Sequence, residues 1–288
     1  EANTTGSNNT AVGYNTLLVN TTGYQNVALG RDAMISNTTG HRNVAIGLDA
    51  LNDCTTGTYN VAVGSYSLDS NTTGSTNTAI GMHSLGGVTI GSHNTAVGYD
   101  AGKGITEATW NTAIGYQALD AACTGLSNSA LGAFSLSANT SGQENVACGN
   151  NALNANTTGN YNVSVGRQSL QANTTASNNT ACGYRSLYSN TTAGNNTALG
   201  FQSLYVNTTG ANNTAVGAYS LDANTTGATN TAVGYYALSG NTEGDYNTGV
   251  GYNALSANTT GGYNTACGTG ALDANTTASN CSAFGGVA

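Results

Sequence analysis

Three histidines, six cysteines, sixteen tyrosines and a recurrent Asn-Thr-Thr tripeptide are the residues of this chain that could carry chemistry. His41, His83 and His93 stand at three unrelated places in the sequence pattern, and no nucleophile, base and acid can be assembled around them. Solvated surface placement is the better account of all three, and no catalytic set is expected. Gly98-Tyr99-Asp100-Ala101-Gly102-Lys103-Gly104 is loosely like a phosphate-binding loop. Its spacing is wrong, however, and Gly104 stands where Ser or Thr should hold the metal. Asp69, Asp120, Asp222 and Asp273 share one place in the pattern but never in neighbouring copies, so no carboxylate ladder for calcium forms. No cofactor or metal is expected.

Two other sets are more suggestive. Tyr99, Tyr116, Tyr184, Tyr235 and Tyr252 recur at one place, and Trp110 at another together with Tyr59, Tyr161, Tyr246 and Tyr263. Stacked at regular spacing they could form a platform for sugar rings, or equally pack between chains and loops. Asn3, Asn20, Asn37, Asn71, Asn139, Asn156, Asn173, Asn190, Asn207, Asn224, Asn258 and Asn275 each open an Asn-Thr-Thr or Asn-Thr-Ser triplet, an acceptor pattern for N-linked glycan. Turn chemistry explains the same residues without sugar. Glycans on every copy would stand only ~5 Å apart, so full occupancy is not expected.

These residues are placed by a strict repeat. Written N-T-T-G-x-x-N-T-A-V-G-Y-x-A-L-x-A from Asn3, the pattern returns every 17 residues. The first full copy is 3–19, the last is truncated at 275–288, and residues 1–288 read as one array of 17 coils. Column eleven is Gly in every copy, from Gly13, Gly30, Gly47 and Gly64 onward. No copy gains or loses a residue, even where 88–138 loses the Asn-Thr-Thr turn and gathers His93, Lys103, Glu107 and Trp110. Those degenerate coils are the one stretch that could mark a specialised site, with simple drift the plainer account. A stacked coil must count this strictly, because one insertion moves every later side chain out of its column.

Composition agrees. The absence of Pro suits continuous β pairing. Charged residues are only 6% of the chain, with five basic side chains against 13 acidic, so no Lys/Arg stripe exists to meet phosphates and no nucleic-acid partner is expected. No run of ~18 apolar residues suggests membrane insertion. The chain begins with Glu1-Ala2, the last two columns of a missing copy, and stops in mid-coil, so it reads as a piece of a longer fibre.

Within a coil, Thr-Ala-Val-Gly reads as a short strand closed by glycine. Columns eight and ten point one way and the Ala of column nine the other, and both faces are small or apolar. One narrow coil has a single inside, so the second apolar face predicts a partner chain. Tyr-x-Ala-Leu is expected as a return strand, with Leu over Leu forming an apolar rib, and Asn-Thr-Thr-Gly as the turn. Column seven, with Asn9, Asn26, Asn43, Asn60, Asn77, Asn94 and Asn111, is expected to form a buried asparagine ladder between coils. Cys148, Cys182 and Cys267 replace the apolar residue of column ten, and the closest two lie two coils apart, about 9–10 Å. Free thiols are therefore expected within one stack.

The run Asn111-Thr-Ala-Ile-Gly-Tyr-Gln-Ala-Leu119 resembles the head repeats of YadA-type trimeric autotransporter adhesins and similar repeats of phage tail fibres. The resemblance covers columns seven to fifteen of every copy. It implies a parallel β-roll, left-handed and trimeric, exposed at a cell or virion surface. The period here is longer than the adhesin repeat because of the added turn, and no heptad stalk or membrane anchor is seen.

The expected protein is thus all-β: a parallel β-solenoid acting as a non-enzymatic extracellular structural fibre segment, a filament, adhesin shaft or tail fibre. Its main partner is itself, as a homotrimer and end to end, with carbohydrate or a host surface as further partners. The alternative is a surface-binding module, through tyrosine rows that take carbohydrate or Thr rows of columns two and three that take ice.

Overall fold

Three residues per coil, columns eight to ten, form the regular strands among the described residues. A computed structural model describes residues 3–286. The ends from which the chain reads as part of a longer fibre, 1–2 and 287–288, lie outside the described residues. The chain divides into two units, 1–144 and 145–288. The first holds β1 (Thr10–Val12), β2 (Val27–Leu29), β3 (Val44–Ile46), β4 (Val61–Val63), β5 (Thr78–Ile80), β6 (Thr95–Val97), β7 (Thr112–Ile114) and β8 (Ser129–Leu131). The second holds β9 (Val146–Cys148), β10 (Val163–Val165), β11 (Thr180–Cys182), β12 (Thr197–Leu199), β13 (Thr214–Val216), β14 (Thr231–Val233), β15 (Thr248–Val250), β16 (Thr265–Cys267) and β17 (Ser282–Phe284). Among the described residues there is no helix.

Within each unit every strand pairs in parallel with the next, column on column, as in Val61↔Thr78, Ala62↔Ala79 and Val63↔Ile80. The ladder is not confined to strands. Thr38 N–H donates to Thr55 C=O at 3.0 Å in column two, and Leu51 N–H to Ser67 C=O at 2.9 Å between columns fifteen and fourteen. The chain is therefore an all-β parallel solenoid of 17-residue coils.

The return strand is not there, and the correction is instructive. Columns twelve to fifteen are turns, because columns thirteen and fifteen both take left-handed backbone, with Leu φ between 48° and 54°. A strand would send neighbouring side chains to opposite faces. Here the Ala or Ser of column fourteen and the Leu of column fifteen are both buried, as at Ser67 and Leu68. Left-handed Leu costs roughly 1–2 kcal/mol, and full burial of a Leu side chain returns about 1.5–3 kcal/mol. Burial wins.

The interior is half apolar and half amide. Ala of column nine and Leu of column fifteen supply one half. Column seven supplies an asparagine ladder: Asn77 Oδ1 accepts Asn94 N–H at 2.9 Å, and Asn77 Nδ2 donates to Gly91 C=O at 2.8 Å. Column one is a second buried ladder that the turn reading missed. Asn224 Nδ2 donates both to Asn207 Oδ1 at 2.8 Å and to Gly227 C=O at 2.9 Å.

This second ladder breaks where column one changes. Asn37 Oδ1 and Asn71 Oδ1 are buried without a partner, and the residues that follow them in column one are Cys54 and Val88. Cys54→Asn is expected to stabilise the first unit by about 1–2 kcal/mol, because its amide would supply the donor Asn37 lacks and a better acceptor for Asn71. A urea titration that returns an unchanged or lower midpoint would refute this account.

The degenerate stretch is explained by packing. Val88 and Ile105 occupy column one fully buried. Gly102 replaces the rib Leu, and the Ile105 Cδ1 and Leu85 Cδ2 methyls close over it, 3.2 and 2.8 Å from where a Cβ would stand. In the next coil the count slips locally: Cys123, not residue 122, fills the column-one pocket, its sulfur 3.4 Å from Asn139 Nδ2. One residue is gained before Cys123 and one lost after it, so the period survives.

Candidate functional site

With the coil this narrow, any function must lie on its outer faces. The most apolar of these is the outward side of the strands. Column nine is buried, while columns eight and ten are open, so the strand is covered on one face only. In column ten Leu29 is 45% exposed and Ile80 41%. Cys148, Cys182 and Cys267 lie exposed in the same column. All six cysteines are free. Cys54 and Cys123 instead stand in the column-one interior, and burial pushes the Cys54 thiol up to about 11, which leaves it inert as a nucleophile.

Beside this face runs the aromatic row. In the second unit it spans five coils without a gap: Tyr184 stacks on Phe201 at 5.3 Å, and Tyr235 on Tyr252 at 5.8 Å. Ala218 interrupts column twelve. Tyr219 of column thirteen bridges the space, edge-on to Phe201 and Tyr235 and stacked on Tyr236. The Arg185 guanidinium lies 5.2 Å from the centre of the Tyr184 ring and 5.3 Å from that of Tyr188. Column thirteen's share in this row was not legible, because it follows from the left-handed backbone there.

Ring orientation decides what such a row can offer. Tyr99 on Tyr116 and Tyr235 on Tyr252 stack within 10° and 8° of parallel, so the facing sides of each pair are covered by each other. Sugar rings stack on open faces. Trp110 is 59% exposed and meets His93 edge-on at 5.6 Å, so these two rings do not cover each other face to face.

The remaining candidates are dispersed. His41 stacks on Tyr24 and His83 on Tyr66, each one coil from its partner. Lys103 is ion-paired with Asp100 at 3.3 Å. No group of three metal-ligating side chains occurs among the described residues. Asp222 is half-buried, and that burial pushes its carboxyl up to about 6.

The acceptor reading of column one needs correction. Asn20, Asn37, Asn71, Asn139, Asn156, Asn173, Asn190, Asn207, Asn224 and Asn258 are at most 1% exposed. Their Nδ2 atoms are committed inside the coil, so these folded coils offer no acceptor. Asn3 and Asn275 stand in the outermost coils. Column two also differs from the Thr-row reading, since Thr38 Oγ1 donates to Thr55 C=O at 3.1 Å and is not free.

No protein-family model matches the chain, and no curated protein matches it. The geometry therefore has to stand on its own.

Proposed function

We propose that the chain is a structural fibre segment, non-enzymatic and extracellular, that self-assembles through its outward strand face. The observation that carries this reading is the column-on-column hydrogen bonding through whole coils, strands and turns alike. A fold that bonds each coil to the next through strands and turns alike resists bending.

Self-association is supported by the exposed apolar columns. Self-association would bury columns eight and ten of the nine strands β9 to β17 together with the column-twelve rings beside them, and a standard interface takes ~800 Å² from each partner. A trimer is the oligomer that the repeat resemblance favours, with the outer Asn and Thr positions facing water. Val165→Lys, Leu199→Lys and Val233→Lys together place three charges in column ten, and are expected to convert the assembly to monomers without loss of β signal. Sedimentation of the wild-type chain as a monomer at micromolar concentration would overturn the reading.

A second reading, a surface-binding module, draws on column eight. Thr180, Thr197, Thr214, Thr231, Thr248 and Thr265 stand in register on consecutive strands. A flat Thr row belongs on a sheet rather than a turn, and a thermal-hysteresis measurement tests it. Absence of a freezing-point gap dismisses ice; a glycan array unchanged by Trp110→Ala and Tyr252→Ala dismisses sugar.

A further inference from the structure

We infer that the coil and N-linked glycosylation exclude each other, so that the folded chain is always the chain whose interior Asn-x-Thr motifs escaped modification. The acceptor asparagines of column one and the residues two places on make the case together. In the unfolded chain Asn190-Thr191-Thr192 is an open acceptor motif. In the coil both hydrogens of Asn190 Nδ2 are used, one by Asn173 Oδ1 at 3.1 Å and one by Ala193 C=O at 2.9 Å, and the residue has no exposed surface.

Transfer would form a bond from Nδ2 to the anomeric carbon of a lipid-diphosphate-linked sugar. The bond from that carbon to the diphosphate oxygen breaks, the diphosphate leaves, and one Nδ2 proton passes to the transferase's base. The amide keeps one hydrogen where the coil needs two, and the sugar has no exit from a closed interior. Leaving a buried acceptor unpaired costs about 1–3 kcal/mol, and the volume of a sugar cannot be accommodated at native packing density.

A second acceptor class sits outside. Asn178, Asn195 and Asn212, in column six, each open an Asn-Asn-Thr motif, are exposed, and take left-handed backbone with φ 61–62°. Sugar at these positions would project into water and leave the ladders intact. The Asn162-Val163-Ser164 motif is buried and behaves like column one, since Asn162 Nδ2 donates to Asn145 Oδ1 and Ala176 C=O. The third residue of the column-one motifs is dispensable to the fold: Thr192 and Thr209 are exposed, and Glu243 at the same place keeps the backbone bond to Thr259 C=O at 3.2 Å.

The test expresses the full chain by two routes, one in which N-glycans are transferred during translocation and one cytosolic. Protease-resistant and aggregated fractions are separated, and sugar is mapped by mass spectrometry. The expected result is sugar on the buried column-one asparagines in the aggregate and none on them in the resistant fraction. A variant with Val at the third position of each buried column-one motif (Thr192→Val and its equivalents), plus Ser164→Ala, should raise the resistant yield about tenfold on the glycosylating route. It should carry sugar at column six and melt like wild type when made in the cytosol. Sugar on a buried column-one asparagine in the resistant fraction overturns the inference. So does its absence from both fractions, or a variant yield no higher than wild type.

Discussion

Gly64→Ala is expected to cost about 3–5 kcal/mol. Two penalties coincide at column eleven. The backbone there has φ +132°, within a range of +122° to +144° for this column, a region essentially reserved for glycine. A Cβ on Gly64 would also lie 2.6 Å from both the carbonyl carbon and the oxygen of Gly81 in the next coil. Column four separates the two causes. A Cβ on Gly74 would lie just 2.3 Å from Gly91 O, yet its φ is not in the positive range. Column four accepts Ala108, Ala176 and Ala193 elsewhere. Crowding alone is therefore absorbed by small shifts, and Gly74→Ala should cost less than about 1 kcal/mol. Hydrogen exchange at β4 and β5 with a urea titration makes the comparison. Equal losses for the two variants would show that contact distance, and not the left-handed backbone, keeps column eleven glycine.

That contrast also measures what the residue pattern discloses. The invariance of Gly13, Gly30, Gly47 and Gly64 within the array was enough to mark a backbone requirement, and the period alone was enough to mark stacked parallel coils. The column-seven ladder was equally legible, because a buried strand has few uses for an amide except to bond the next rung. What stayed hidden depended on dihedral angles. Nothing in Tyr-x-Ala-Leu reveals that Leu68 will take φ 50°, since Leu rarely does so without tertiary burial to hold it there. The return strand was therefore misread, and with it the place of Tyr219 and Tyr236 in the aromatic row. Column one was misread for a related reason. Asn-Thr-Thr-Gly suits an exposed turn so well that a buried amide at its head leaves no separate mark; only the replacements Cys54, Val88 and Ile105, all apolar, hinted at an interior position. The candidate surface was partly visible, since the doubly apolar strand implied an uncovered face. What covers that face is a matter of assembly rather than of one chain.

Asn230→Ala should destabilise the second unit by about 2–4 kcal/mol, because its side-chain amide serves two buried partners in neighbouring coils. Asn230 N–H donates to Asn213 Oδ1 at 2.9 Å, Asn230 Nδ2 to Gly244 C=O at 2.8 Å, and Asn230 Oδ1 accepts Asn247 N–H at 2.8 Å. Alanine keeps the first bond, leaves the buried Asn247 N–H unmatched at about 1–3 kcal/mol, empties the volume of the amide, and removes one of two donors from the Gly244 C=O, which keeps Asn241 Nδ2 at 3.0 Å. Asn230→Asp distinguishes this from lost volume, since its carboxyl has nearly the amide's shape. Its Oδ1 still accepts from Asn247, but the other oxygen, when ionised, faces the Gly244 carbonyl in a closed interior. Burial and that repulsion raise the folded-state pKa above the unfolded carboxylate value. A group raised in this way favours folding below the unfolded pKa, and the benefit is lost as pH climbs through the folded one. The Asp variant should therefore approach wild-type stability near pH 4, where its hydroxyl donates to Gly244, and fall to or below the Ala variant at pH 7. Because coils couple mainly to their neighbours, the loss should appear first as faster exchange at β14 and β15. If both variants lose the same stability at pH 4 and pH 7, the amide is filling space rather than bonding, and the ladder does not hold the coils in register.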